Sequence, residues 1–340
     1  MTHWDPLGVW FVFLASAAAL VIAATKLADY GDVIAVRTKL GGMLIGTVLL
    51  AGATSLPELL TAVNSIREGV PNLTVGDLFG SCMFNMLLLA VLDLILQETR
   101  ILRRVAVSHA ISASLAVLLL ALAMFFILTN IPFQIGWVGL DSLILMGAYA
   151  FGLWLIRVSP TVRSAASAEA GHMPTEAEPV PSLTRALVGF GISSAVLIVV
   201  TPWMVRSAVA IAEITGLTAG VVGIIMVALV TSLPELVTTG SAVRSGAFDL
   251  AVGNLFGSNV LNMLVLGVVD LFYLEGRLIG QISPTMMVAG MLALMLTALG
   301  GLGNLARVER RVLFLEIDAL LIIVVYGLGI WLLIARRLIV

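Results

Sequence analysis

Thr54-Ser55-Leu56-Pro57-Glu58-Leu59 recurs without change as Thr231-Ser232-Leu233-Pro234-Glu235-Leu236. Laying the chain on itself at a shift of 177 positions sets Gly46–Leu94 over Gly223–Leu271 with no gap and 25 identities in 49 positions, far beyond chance. A second block inside the match pairs Gly76-Asp77-Leu78-Phe79-Gly80-Ser81-Cys82 and Asn85 with Gly253-Asn254-Leu255-Phe256-Gly257-Ser258-Asn259 and Asn262. The chain therefore carries two copies of one unit, and the meaning of the copies depends on the solvent around them.

That solvent is lipid. Of 340 residues 60% are hydrophobic and 11% charged, against about 45–50% and about 25% in soluble domains. A hydrocarbon core needs roughly 20 apolar residues per helix. Apolar runs fall near residues 7–25, 41–66, 73–96, 105–128, 135–157, 184–206, 218–244, 249–273, 281–302 and 312–335, which predicts ten spans. The first run has no basic residue ahead of it and no small-residue cleavage pattern behind it, so it reads as a retained span rather than a removable signal. The polar stretch at 159–183, with Pro160, Pro174, Pro179 and Pro181 among Ala, Ser and Glu, reads as a linker dividing the spans five and five.

The expected fold class is thus all-α and polytopic. It consists of a first five-helix repeat at 1–158 with an ion-binding motif at 46–94, the linker, and a second repeat at 184–340 with its motif at 223–271. An odd number of crossings per unit makes the second copy enter from the opposite face, giving inverted-topology repeats. Thirteen basic residues fall in loops on the side of the first connection: Lys26, Arg37, Lys39, Arg100, Arg103, Arg104, Arg157, Arg163, Arg185, Arg244, Arg307, Arg310 and Arg311. Five, Arg67, Arg206, Arg277, Arg336 and Arg337, fall on the other. The positive-inside rule then predicts a cytoplasmic linker and both termini outside, in a cell inner membrane.

Composition excludes several functions. A formal charge of -2 without basic clusters gives no nucleic-acid footprint. One cysteine, Cys82, forms no intrachain disulfide or cysteine-based zinc site, and His3, His109 and His172 have no shared helix face for a metal. Methionines and the Leu, Val and Ile runs are read as lipid-facing or packing side chains.

The repeated motif has the chemistry of a cation site. Thr54 and Glu58, at i and i+4, are expected on one helix face with Ala51. Pro57 has no N–H and crowds the carbonyl of Ala53, as Pro234 crowds that of Val230, so the helix kinks and backbone oxygens lose their partners. In lipid such an oxygen needs another partner, and a dehydrated cation is one. Ser81 and Asn85 add a hydroxyl and an amide one turn apart, matched by Ser258 and Asn262. Together the copies offer two carboxylates, hydroxyls, amides and carbonyls, a set suited to hard cations. A carboxylate at membrane depth costs at least about 2.5–3.5 kcal/mol, so a cation must neutralise the pair. Calcium satisfies both carboxylates at once, and two or more sodium ions could replace it.

With Ser-Leu-Pro-Glu and Gly-x-x-x-Gly-Ser in each half, the chain resembles the cation/calcium exchanger superfamily, nearest to the prokaryotic sodium/calcium exchangers. The likeness covers two stretches of about fifty residues and the ten-span layout. It implies an antiporter whose first and sixth helices slide against a core bundle. By resemblance the sites are lined by Ala51, Thr54, Ser55, Glu58, Ser81 and Asn85 from the first half and Ala228, Thr231, Ser232, Glu235, Ser258 and Asn262 from the second. The glutamates would hold calcium, with backbone oxygens coming from the alanine and threonine positions. The ions are Ca2+ and Na+, with no prosthetic group, no enzymatic activity and no obligatory protein partner. Three positions depart from the family: Asn262 where many members have Asp, and Cys82 and Asp77 where Asn is usual. Asp77 reads either as an accessory carboxylate one turn before Ser81 or as a cap on the third span. Exchange of calcium against protons is the alternative within transport. An intramembrane hydrolase built on Ser55 or Ser232 lacks a nearby histidine or lysine base, and a channel fits duplicated inverted halves less well.

Overall fold

A computed structural model describes residues 5–38, 52–95, 108–159, 182–306, 311–312 and 315–335. Its helices are α1 (Pro6–Thr38), α2 (Leu56–Arg67), α3 (Pro71–Ile95), α4 (Ser108–Thr129), α5 (Leu140–Val158) and α6 (Leu183–Thr215). They continue as α7 (Ala219–Thr231), α8 (Leu233–Arg244), α9 (Phe248–Val269), α10 (Met287–Ala306) and α11 (Ile317–Ala335). Two-residue hairpins, β1 (Gln134–Ile135) with β2 (Val138–Gly139) and β3 (Arg311–Val312) with β4 (Leu315–Glu316), close loops before α5 and α11. The chain is an all-α polytopic membrane protein with these small exceptions. Among the described residues eight helices are long and apolar enough to cross a bilayer, or nine when α7 and α8, bent by 41°, count as one span. Of the predicted span 41–66 only 52–66 are described, and most of the linker, 160–181, lies outside the described residues.

α1 and α6 have 33 residues each, which at 1.5 Å per residue is about 50 Å against a hydrocarbon core of about 30 Å. Both outrun the predicted spans 7–25 and 184–206. Hydropathy marks only the part in lipid, whereas the helix ends where its hydrogen-bonding ends. In α1 the polar Lys26 and Asp29 pair with each other at 3.1 Å instead of breaking the helix. α6 starts at Ser182, whose hydroxyl accepts the Arg185 N–H, and stops at Gly216, whose φ of 68° suits glycine. The two long helices lie along each other and share a cluster of Val9, Phe13, Leu20, Leu27, Leu197 and Met204. Phe11, Leu14, Leu187 and Val199 remain exposed, as lipid-facing side chains should.

α3 and α9 form the centre, crossing each other and flanked by α4 and α10. Small residues permit the closest approach, as expected where lipid tails give helices no hydrophobic reason to associate. A Cβ on Gly76 would run into the Gly220 carbonyl, and one on Gly80 would lie 2.5 Å from the Ile224 carbonyl oxygen. α3 therefore presses its backbone against α7, where a π-helical turn spans Gly223–Val227. At one end of the bundle the Asp270 carboxylate accepts the N–H groups of Gly139 and Leu278 at 2.7 and 2.6 Å, and Arg277 bridges Asp141 and Asn130. Those bonds satisfy loop backbone that would otherwise be orphaned.

Candidate cation site

Each Ser-Leu-Pro-Glu motif breaks a helix instead of kinking one. Ser232 leaves helical geometry (φ -88°, ψ 0°) and Ser55 does the same (φ -92°, ψ 8°), with proline in the first turn that follows. Proline fits that first turn because its missing N–H would be unpaired there anyway. The expectation that Thr54 and Glu58 share one continuous helix face is therefore corrected. Thr54 ends the helical turn described from residue 52, and Glu58 stands in the first turn of α2, as Glu235 does in α8. Each carboxylate thus sits at the positive end of a half-helix, which favours its charge.

The residues expected to line the site converge from both halves, except Ala51, which lies outside the described residues. Thr54, Ser55, Glu58, Asp77, Ser81, Asn85, Ala228, Thr231, Ser232, Glu235, Ser258 and Asn262 are all at most 2% exposed. Ser55 Oγ lies 3.3 Å from Ser258 Oγ, and Ser258 donates to Glu235 Oε1 at 3.1 Å. Thr54 stands beside Glu235. On the opposite side Ser81 Oγ lies 3.3 Å from Thr231 Oγ1, which donates to Asp77 Oδ1 at 2.8 Å. Glu58 is within Coulombic reach of both Glu235 and Asp77. The Ala228 carbonyl accepts the Ser232 N–H at 3.0 Å and lies 3.4 Å from the Thr231 hydroxyl. Asp77 does not cap α3: it lies inside Pro71–Ile95, fully buried.

Oxygen is in excess over donors. Glu58 Oε2, Glu235 Oε2, Asp77 Oδ2, Asn85 Oδ1, Asn262 Oδ1 and Ser232 Oγ are buried with no hydrogen-bond partner. Among the described residues no ion pair reaches any of the three carboxylates. Nor do three acidic, histidine or cysteine side chains there close tightly enough to hold a metal by themselves. A cation at this place would draw on amide, hydroxyl and backbone oxygens as well, in keeping with a hard ion that sheds its water readily.

Sequence reasoning missed what aims the amides. Asn85 donates Nδ2 to Asn259 Oδ1 at 2.9 Å, and Asn262 donates Nδ2 to Cys82 Sγ at 3.8 Å, so each turns its oxygen to the unpartnered side. Asn259 and Cys82 are repeat equivalents, and Asn259 is itself tied to the Cys82 carbonyl and to Thr297 on α10. Thr297, an isolated hydroxyl in an apolar helix, was the available signal. Asn259→Ala is expected to weaken cation binding about tenfold by freeing the Asn85 amide. Cys82→Ala, which removes only a weak sulfur acceptor, should change it less than about twofold. Thermal stabilisation of the purified variants by added divalent or alkali-metal cations measures both.

Known proteins resemble this chain along most of its length. The family described as sodium/calcium exchanger protein matches residues 8–158 and 185–335. The Alkalimonas amylolytica protein CaxA is 28% identical over 307 residues, covering 88% of this chain and 92% of its own length. The sodium-calcium exchanger NCX_Mj superposes with a TM-score of 0.55 at 22% identity, covering 94% of this chain and 96% of that one. The H+/Ca2+ exchanger CAX superposes with a TM-score of 0.61 at 14% identity, covering 98% and 89%. The two structures speak for the fold alone.

Proposed function

Because the chain belongs to the sodium/calcium exchanger family of the cation/calcium exchanger superfamily, and is a membrane ion antiporter on that ground, we propose that it exchanges sodium for calcium by alternating access. One observation carries the reading: Glu58 and Glu235, one from each repeat, are buried within Coulombic reach of each other, each with a bare carboxylate oxygen and no basic partner among the described residues. Two such charges at membrane depth are tolerable only when exchangeable cations neutralise them. Calcium does so alone, and sodium ions do so in its place. A site that must be filled before it crosses couples the two fluxes, since the unneutralised carboxylates oppose translocation.

In this reading the ten spans form two inverted repeats of five, and alternating access is the movement of α1 and α6 against the bundle around a fixed site. Thr54, Ser55, Ser81, Asn85, Ala228, Thr231, Ser232, Ser258 and Asn262 complete the coordination, with Ala51 as the remaining backbone ligand. The protein works in the cell inner membrane with both termini outside and the linker inside, needing neither a prosthetic group nor a protein partner. Calcium–proton exchange is the second reading, favoured by Asn262 at a position where a third carboxylate is usual.

The experiment is calcium uptake into everted vesicles driven first by an imposed sodium gradient and then by a pH gradient. Uptake that follows sodium supports the main reading. Uptake that follows only pH replaces it with the second, and uptake with neither sinks both.

A further inference from the structure

The two long helices keep the register of the repeat: α1 (Pro6–Thr38) shifted by 177 positions is α6 (Leu183–Thr215), end for end. α6 runs along α2 and α1 along α8, so the contact between a long helix and the bundle is built twice. The two contacts differ in their polar groups. On α6, Arg206 donates Nε to Glu68 Oε1 at 2.7 Å. Glu68 stands in the turn between α2 and α3, where the N–H groups of Glu68, Gly69 and Val70 bond back to the carbonyls of Asn64, Ile66 and Ser65, so its backbone is anchored to the bundle. Asp29 and Ser245 are the repeat mates of Arg206 and Glu68. Asp29 pairs with Lys26 on its own helix at 3.1 Å, and Ser245 donates to the Ala242 carbonyl at 2.9 Å. One contact thus carries a charged clasp where the other turns the same two positions back on themselves. Elsewhere on α6 Ser194, Thr201, Ser207 and Thr215 each donate to the carbonyl four residues back, which leaves those protons no hold on the bundle.

Movement of α1 and α6 against the bundle has to break this pair, because Arg206 travels with α6 while Glu68 stays with α2 and α3. We propose that Glu68 and Arg206 form a latch at one face of the protein, holding the long helices in the conformation of this structure and setting the balance between the two orientations. Among the described residues the equivalent positions at the other contact form no such bond. The side chains are 33% and 57% exposed, so the latch biases the balance rather than dictating it, by up to about fivefold. Two exact copies would leave the orientations equivalent in energy, and this pair is a place where the halves stop being copies. Parting α6 from α2 opens the molecule at the face that carries Glu68. An ion arriving there then meets a larger competent fraction and binds with tighter apparent affinity. The inference rests on the alternating-access reading above and adds a one-sided bias to it.

Calcium self-exchange in right-side-out and everted vesicles, with radiolabelled calcium outside, gives the half-maximal calcium concentration at each face. Labelling of Glu68→Cys by a membrane-impermeant thiol reagent tells which face carries the latch. Glu68→Gln and Arg206→Gln are each expected to lower the half-maximal concentration at the latch face, relative to the opposite face, by about two- to fivefold. The double variant is expected to shift no further than either single one, since both remove the same interaction. A latch makes the two substitutions act alike. A surface potential makes them act oppositely, because one removes a negative charge at the mouth and the other a positive one. Shifts of opposite sign, shifts favouring the other face, additive shifts in the double variant, an unchanged ratio, or an equal loss at both faces each overturn the latch while leaving calcium transport standing. Absence of calcium exchange in the wild type under every condition instead overturns the transport reading itself.

Discussion

Glu58→Gln and Glu235→Gln each lower calcium transport by at least about 100-fold, in line with the 3–5 kcal/mol lost when one partner of a buried charged assembly is removed. Glutamine keeps the shape and one oxygen of glutamate, so the backbone around Ser55 and Ser232 has no reason to move. What disappears is the charge a divalent ion must meet. In calcium-free buffer the same substitutions leave the protein as stable as the wild type or more so, because a buried carboxylate with a bare oxygen is replaced by a neutral amide. The two readouts move in opposite directions, and a structural role for these glutamates cannot produce that pattern. Were Glu58 or Glu235 scaffold, its replacement would lower the thermal midpoint and leave calcium stabilisation of the surviving protein intact. The check is a thermal melt with and without calcium beside the vesicle flux. Calcium flux within about twofold of wild type in either variant would remove the central site.

The repeat made the centre of the molecule legible because both copies are read in the same register. A shift of 177 positions places every site residue opposite its counterpart, and the structure brings Ser55 to Ser258 and Ser81 to Thr231 across the two halves. Identity of sequence did not extend to identity of environment. Asp77 reaches into the site where Asn254 turns to its own neighbouring helix, a difference fixed by an acceptor-only carboxylate replacing an amide that can donate. Cys82 and Asn259 likewise do the same work with unequal strength, sulfur at 3.8 Å against oxygen at 2.9 Å. Helix ends were the least legible part. Apolar periodicity follows the lipid boundary and stops short of the ends of α1 and α6, whose polar residues continue a hydrogen-bonded helix that hydropathy does not register. Pro234 predicts a kink but not the break at Ser232, because a lost bond does not say whether the chain recovers its axis. The π-helical turn Gly223–Val227 has no sequence signal: its apolar residues would suit an ordinary helix.

That turn locates the second large effect, expected for Gly80→Ala. An added Cβ at Gly80 would meet the Ile224 carbonyl oxygen at 2.5 Å, the Ile224 Cα at 2.7 Å and the Ala228 Cβ at 2.7 Å. Two of the three are backbone atoms and the third is a Cβ fixed to backbone, so no side chain can swing aside and α3 must separate from α7. Separation by even about 1 Å acts directly on function, since misplacement on that scale can lower a rate about 100-fold. Ser81 and Asp77 ride on α3 while Thr231 rides on α7, and the 3.3 and 2.8 Å contacts between them are the ones that stretch. Gly80→Ala is therefore expected to lower calcium transport about 10- to 100-fold and to destabilise the fold by about 1–3 kcal/mol, as overpacking does. Gly327→Ala provides the comparison: among the described residues nothing lies within 4 Å of a Cβ there, and alanine is the better helix former, so stability and flux should hold. Calcium flux and thermal midpoint of the two variants, measured side by side, decide it. Unchanged flux in Gly80→Ala would mean that the contact between α3 and α7 does not set the spacing of the site. Equal losses in both variants would place the sensitivity in helix glycines generally rather than in this crossing.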